Sequence, residues 1–218
     1  MSKLKFKILL ALIILVVFAY FQTSFADSIL ENFLQRNKKI KTFQVDFEQR
    51  NYWPEMEIEK ISYGKLITKE SNIRLEYSNP NNQLMVGNEN ELIFYFPEEK
   101  QAIIQNSNYW QALLSPKLLC EKYLNYCILD STFVSKNSYV FKFLSTDEMN
   151  DFSEIAIQFS KSDSLIIFFE YKDKYDNVVG FKFSNHIINQ QIPDSIFYFE
   201  IPDSVNVLDQ RIYKQKEK

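Results

Sequence analysis

With a single histidine, two cysteines and three glycines in 218 residues, the chain lacks the materials of most enzyme sites. His186 lies on a strand-like segment, accompanied by neither a Ser-x-Gly elbow nor a cysteine partner, and reads as a surface or strand-end residue. Gly64, Gly87 and Gly180 are too scattered to make a phosphate-cradling loop, and no HExxH pattern or Cys/His metal spacing occurs. Acid pairs such as Glu98-Glu99 flank Pro97 and suit a solvated turn. No catalytic residue, metal or cofactor is therefore expected. A block of basic residues is missing as well, which argues against nucleic acid or an anionic membrane surface as partner.

Long hydrophobic runs are short in supply too. The longest, Ile8 to Phe21, has 14 residues, against the roughly 20 that a membrane-crossing helix needs. Lys3, Lys5 and Lys7 precede it and Ser24-Phe25-Ala26 follows, with small residues three and one before a cut ahead of Asp27. A positive flank, a short apolar core and a small-x-small exit make residues 1–26 a secretory leader, so the expected location is the periplasm. The expected mature domain, residues 27–218, carries 22 basic and 28 acidic side chains, a net charge of −6. Its 192 residues suffice for a single domain with its own core.

Cys120 and Cys127 are the only cysteines, and in an oxidising compartment they form a candidate disulfide. Seven residues of unbroken helix would hold their Cα atoms roughly 10 Å apart, beyond the roughly 7 Å that a bridge tolerates. The bond requires the helix to end between them, which Asn125 permits.

Aromatic side chains are plentiful: 20 Phe and 13 Tyr help bring the aromatic share to 16%. So much ring area must fill a core or line a greasy site. The periodicity distributes it. Asp27 to Ile40 reads as a helix with Ile29, Leu30, Phe33 and Leu34 on one face. Alternation then takes over at Phe43-Val45-Phe47, Met56-Ile58, Ile73-Leu75-Tyr77 and Leu84-Val86, while Leu92 to Phe96 is apolar on both faces. It returns at Tyr139-Phe141-Phe143, Ile155-Ile157-Phe159, Leu165 to Tyr171, Val179-Phe181-Phe183, Phe197-Phe199-Ile201 and Val205-Val207. Between Ser107 and Cys127 the period is helical, split by Pro116 into two segments. Asp147 to Asp151 reads as a loop and the Lys-rich stretch after Tyr213 as a frayed tail. The fold expected is mainly β with α. About 11 antiparallel strands form an incomplete β-barrel, and a lid of about three short helices covers its hydrophobic cavity.

Several segments resemble one known family in the right order along the chain. Thr42-Phe43-Gln44-Val45-Asp46-Phe47-Glu48-Gln49 is similar to the opening strand of the periplasmic outer-membrane lipoprotein carriers of the LolA type. Gly64-Lys65-Leu66, the block Ile73 to Pro80, Leu84 to Asn88 with Phe94-Tyr95, and the ending Phe197 to Val205 are similar to its later blocks. The resemblance implies a hydrophobic cavity that takes up the acyl chains of lipoproteins. It also implies loading from an inner-membrane ABC lipoprotein exporter and delivery to an outer-membrane acceptor. On this footing Phe47, Ile73, Leu75, Leu84, Val86 and Phe94 are assigned to the cavity, and Leu30, Phe33, Leu34, Trp110, Leu113 and Leu114 to the lid. The family's lid-latching arginine falls on Lys69 counted back from Pro80, or on Glu70 counted forward from Gly64. Neither offers a guanidinium fork.

The expected function is that of a monomeric periplasmic chaperone for acylated lipoproteins. A periplasmic binder or sensor of another lipid or glycolipid shares the composition and fold, and cargo separates the two. An enzyme acting on lipids would need a nucleophile that the chain does not display.

Overall fold

The computed structural model describes residues 28–107, 114–146 and 152–211. The expected leader, Trp110, Leu113 and the segments expected as a loop (147–151) and a tail (after Tyr213) lie outside the described residues.

A helix, α1 (residues 28–37), leads into twelve strands among the described residues. These are β1 (Thr42–Trp53), β2 (Ile58–Lys69), β3 (Asn72–Asn79), β4 (Gln83–Gly87), β5 (Glu91–Phe96) and β6 (Gln101–Asn106), followed by β7 (Cys127–Val134), β8 (Ser138–Ser145), β9 (Phe152–Ser160), β10 (Ile166–Asp173), β11 (Val178–Ile188) and β12 (Asn206–Asp209). All belong to one sheet of order β12-β6-β5-β4-β3-β2-β1-β11-β10-β9-β8-β7. Every pairing is antiparallel except that of β12 with β6. β7 and β12 are its two edges, so the sheet is open.

This order dictates what the connections must do. The chain runs outward from β1 to β6, reappears at the opposite edge as β7, and returns to β1 through β11. The segment between β6 and β7 must therefore cross from one edge of the sheet to the other. It contains α2 (Pro116–Leu118), a π-helical turn at Leu119–Tyr123 and a 3-10 turn at Leu124–Tyr126. Pro116 sits in the first turn, where its missing N–H costs nothing, and the Ser115 side chain caps it. After β11 a second crossing, residues 189–205, carries the chain back to β6. It holds a 3-10 turn at Asp194–Phe197.

Some expectations change. Met56 belongs to the 3-10 turn Pro54–Met56 between β1 and β2, and both it and Ile58 are exposed. Phe197 to Ile201 is not a strand: Phe197 is buried and Phe199 packs on Tyr95 of β5, while Tyr198 stays exposed. β6 and β7 were not anticipated; Gln105 and Asp130 interrupt their apolar pattern. The cysteines are not bridged; Cys120 is buried in the π-helical turn and Cys127 opens β7.

Candidate functional site

Paired residues of an antiparallel ladder point to the same side, so the register assigns each side chain a face. One row crosses Val45, Leu66, Leu75, Met85, Phe94 and Ile103, from β1 to β6. The next runs the other way through Gln49, Phe181, Phe169, Ile157 and Phe141. These rows form one apolar face, called inner here, and Leu66, Leu75, Phe141 and Ile157 on it are fully buried.

Two segments cover that face. Phe33 of α1 stacks on Phe159 with centroids 4.9 Å apart and meets Tyr139 and Phe141 at 5.5 and 6.2 Å. Leu30 is buried with it and Leu34 half-buried. The far end of α1 is tied to the β9–β10 turn: Asn37 Nδ2 donates to the Ser164 carbonyl at 2.9 Å, and Arg36 donates to the Ser164 hydroxyl. From the crossing segment, Leu114, Leu119 and Leu124 join the same cluster. The covers therefore pack on the sheet through these side chains, the crossing segment is also tied at its end by the bond from the Thr146 N–H to the Tyr126 carbonyl at 2.9 Å, and neither cover is a strand of the sheet.

Of the expected cavity residues, Phe47, Ile73, Leu75 and Phe94 lie on the inner face. Leu84 and Val86 do not. Leu75 pairs with Met85, which sets Leu84 opposite Glu76 and Val86 opposite Arg74, on the outer face. β4 is apolar on both sides, so its alternation has no legible phase, and Met85 was missed for that reason. The second crossing explains the outer apolar residues. Arg74 donates to the Ile196 carbonyl at 2.8 Å, and the Tyr95 ring lies 4.9 Å from that of Phe199. Lys69 belongs to this outer arrangement as well. Its ammonium reaches the Ile192 carbonyl at 2.9 Å and Asp194 at 2.6 Å. It fastens the C-terminal crossing and not a lid helix, because it alternates with the inward-facing Thr68.

Phe47 shows why glycine is needed at position 64. The two pair across β1 and β2, and a Cβ on Gly64 would come 2.7 Å from the Phe47 ring. That ring also meets Tyr77 at 5.3 Å and Phe181 at 5.7 Å. Beside it the apolar face carries a polar cluster. The Tyr77 hydroxyl donates to Gln49 Oε1 at 2.6 Å, and Gln49 Nε2 donates to Asn51 at 2.9 Å. Burial raises the Tyr77 hydroxyl well above the ordinary phenol range.

A groove of about 610 Å³ lies on the outer face, lined among others by Asp46, Glu48, Tyr63, Lys65, Glu76 and Lys182. His186 bonds through Nε2 to the Ile166 carbonyl at 2.8 Å and packs edge-on to Phe43. Among the described residues no three His, Cys, Asp or Glu side chains gather as a metal site requires. No described helix is long and apolar enough to cross a membrane.

The sequence profile of the outer membrane lipoprotein carrier protein LolA matches residues 38–200. No curated protein matches the chain. Among solved structures, an uncharacterized conserved protein from Thermus thermophilus has a TM-score of 0.52 at 14% identity, over 85% of this chain and 99% of that one. A LolA superfamily protein from Nitrosomonas europaea has a TM-score of 0.43 at 14% identity, over 78% and 97%. The MucA/MucB complex of Pseudomonas aeruginosa contributes a chain with a TM-score of 0.42 at 10% identity, over 81% and 61%. The Thermus likeness concerns the fold alone.

Proposed function

The chain belongs to the LolA family of outer membrane lipoprotein carriers, and from that premise we propose that it escorts acylated lipoproteins through the periplasm. In this reading, residues 1–26 are removed on export. The mature domain then accepts cargo from an inner-membrane ABC exporter and delivers it to an outer-membrane acceptor. The acyl chains occupy the inner face around Phe47, Ile73, Leu75, Met85 and Phe94.

The observation that carries this reading is the combination of a continuous apolar face with two non-strand covers whose apolar side chains pack on it. A triacylated lipoprotein has on the order of 45 methylenes, each worth about 0.8 kcal/mol when removed from water. Contacts on an ordinary surface cannot supply that, whereas a sheet face of this size can once its covers move aside. Phe33, Leu30, Leu114 and Leu119 then compete with the cargo for the same rows, which allows release. Trp110 and Leu113 are assigned to the same cover.

Mass spectrometry of the protein purified from periplasm tests the proposal. An acylated polypeptide bound in about 1:1 ratio, on a chain beginning at Asp27, is the expected result. Protein that repeatedly arrives empty from cells making abundant lipoprotein would refute it. One observation favours a second reading, a binder of another lipid or a glycolipid: the Tyr77–Gln49–Asn51 cluster places hydroxyl and amide groups on the inner face, where hydrocarbon alone needs none. A free glycolipid in the same spectrum would select it.

A further inference from the structure

The inner face turns polar where β1 and β2 run toward their hairpin. Past Val45 and Phe47, β1 presents Gln49 and Asn51 on that side, and Ser62 of β2 pairs with Gln49. Two tyrosines flank the group, each two strands away from β1. Tyr77 of β3 pairs with Gly64, which pairs with Phe47; Tyr171 of β10 pairs with Val179, which pairs with Asn51. Tyr77 reaches Gln49 across β2. Burial raises the Tyr77 pKa first and the neighbouring Tyr171 second, so the two phenols approach each other over the sheet.

Part of this group is used internally. Gln49 Oε1 accepts from Tyr77, and Gln49 Nε2 donates to Asn51 Oδ1, which leaves Asn51 Nδ2 on the side away from Gln49. Three donors then have no hydrogen-bond partner among the described residues: Asn51 Nδ2, the Ser62 hydroxyl and the Tyr171 hydroxyl. Among those residues the sealed side-chain atom without a partner is Asn37 Oδ1, so these three open to the space over the sheet. Burial, with Asp173 second, pushes Tyr171 up to about 12. Both phenols therefore keep their protons near neutral pH and stay donors. Unspent donors beside an apolar face require an explanation.

The chemistry of the group selects what it binds. On the inner side, the exposed Lys60 pairs with Asn51. Asp173, two residues past Tyr171, spends its carboxylate on the Tyr175 N–H and on the N–H and amide of Asn177. Arg50, Glu59, Glu170 and Lys172 take the alternate, outer positions, where Arg50 bonds Glu59 and Lys172 bonds Glu154 and Asp176. Glu55 and Glu57 lie in the turn beyond. A phosphate would meet Lys60 alone, and an ammonium no free carboxylate on this face. Neutral donors suit a neutral acceptor, the carbonyl oxygen. We propose that Asn51, Ser62 and Tyr171, positioned by Gln49 and Tyr77, form a polar subsite for the ester or amide carbonyls of an acylated cargo, whose chains run from there along Phe47, Leu75 and Met85. This rests on the reading that the inner face holds acyl chains, and adds which end of the cargo lies where.

The test uses two pairs of soluble ligands, a dioctanoylglyceryl lipopeptide and a dioctanoylglyceryl galactoside, each beside its dioctyl ether twin, which lacks both ester carbonyls. Displacement of 1-N-phenylnaphthylamine reads the affinities. The ester should bind roughly tenfold tighter than its twin, and the pair that shows this names the source of the carbonyls. S62A/Y171F should bring the ester down to the affinity of the ether, with circular dichroism unchanged. Y171F alone should narrow the preference roughly threefold, and K60Q should leave it as it is. Equal binding of ester and ether in both pairs would strike out the subsite and leave acyl binding standing, whereas no binding of any of the four would strike out both. An ester preference that survives S62A/Y171F, or one that K60Q abolishes, would also overturn the proposal.

Discussion

Cys120 is buried in the π-helical turn over the inner face, and desolvation pushes its thiol up to about 12 from an ordinary value of 9.0. The folded state therefore favours the protonated thiol. Below the unfolded-state value both states keep the proton, and the preference is fully present. As pH rises above about 9, the unfolded chain releases its proton first and stability falls, until the folded thiol also ionises near 12. Denaturant titrations across that window should show a steeper alkaline loss for the native protein than for C120A. Identical slopes would mean that the thiol is solvated. The half-buried Cys127 is raised to about 11 by the same cause, so iodoacetamide at pH 8 should modify both slowly in the folded state. The sequence had offered these cysteines as a candidate bridge; in the structure one is buried in a helical turn, the other opens a strand, and they are not bonded.

Helix α1 depends on one side chain more than its apolar stripe suggests. Asn37 Nδ2 bonds both to the Phe33 carbonyl at 2.8 Å and to the Ser164 carbonyl across the β9–β10 turn, while its buried Oδ1 has no partner. Replacing it by alanine removes two buried bonds and leaves the Ser164 carbonyl unsatisfied, a cost of about 1–3 kcal/mol. If α1 is a cover that must lift, N37A should also take up the probe 1-N-phenylnaphthylamine more readily, seen as greater fluorescence enhancement below the unfolding midpoint. Lower stability without added probe uptake would make α1 ordinary core. The stripe of Leu30, Phe33 and Leu34 was legible in the sequence because a helix repeats every 3.6 residues within itself. The anchor at Ser164 was not, since it lies 127 positions away.

At the scale of the whole molecule, the sheet and its covers should differ in dynamics. Strands β1, β2 and β11 occupy the middle of a twelve-strand ladder, whereas α1 and residues 114–124 pack on it with apolar side chains. Hydrogen exchange should be slowest in those central strands and faster in the two covers. Adding a triacylated peptide should accelerate the covers further while the central strands stay protected. Protection of the covers equal to that of β1, unchanged by the peptide, would count against a displaceable lid. The second crossing behaves otherwise: Lys69 and Arg74 fasten it to the outer face, and its exchange should not respond to cargo.

By itself the sequence determined what is local. Period-two alternation marked most of the strands, the helical period and Pro116 marked the crossing segment, and four short blocks in order marked the family. It could not decide which face of β4 looks inward, because Leu84, Met85 and Val86 are all apolar and either phase satisfies the pattern. That choice came from the register with β3 and from a C-terminal crossing that buries the outer side. Nor could it place Lys69, whose partners Ile192 and Asp194 lie more than 120 positions away. An apolar side chain records only that it must leave water, and the tertiary structure decides which surface receives it.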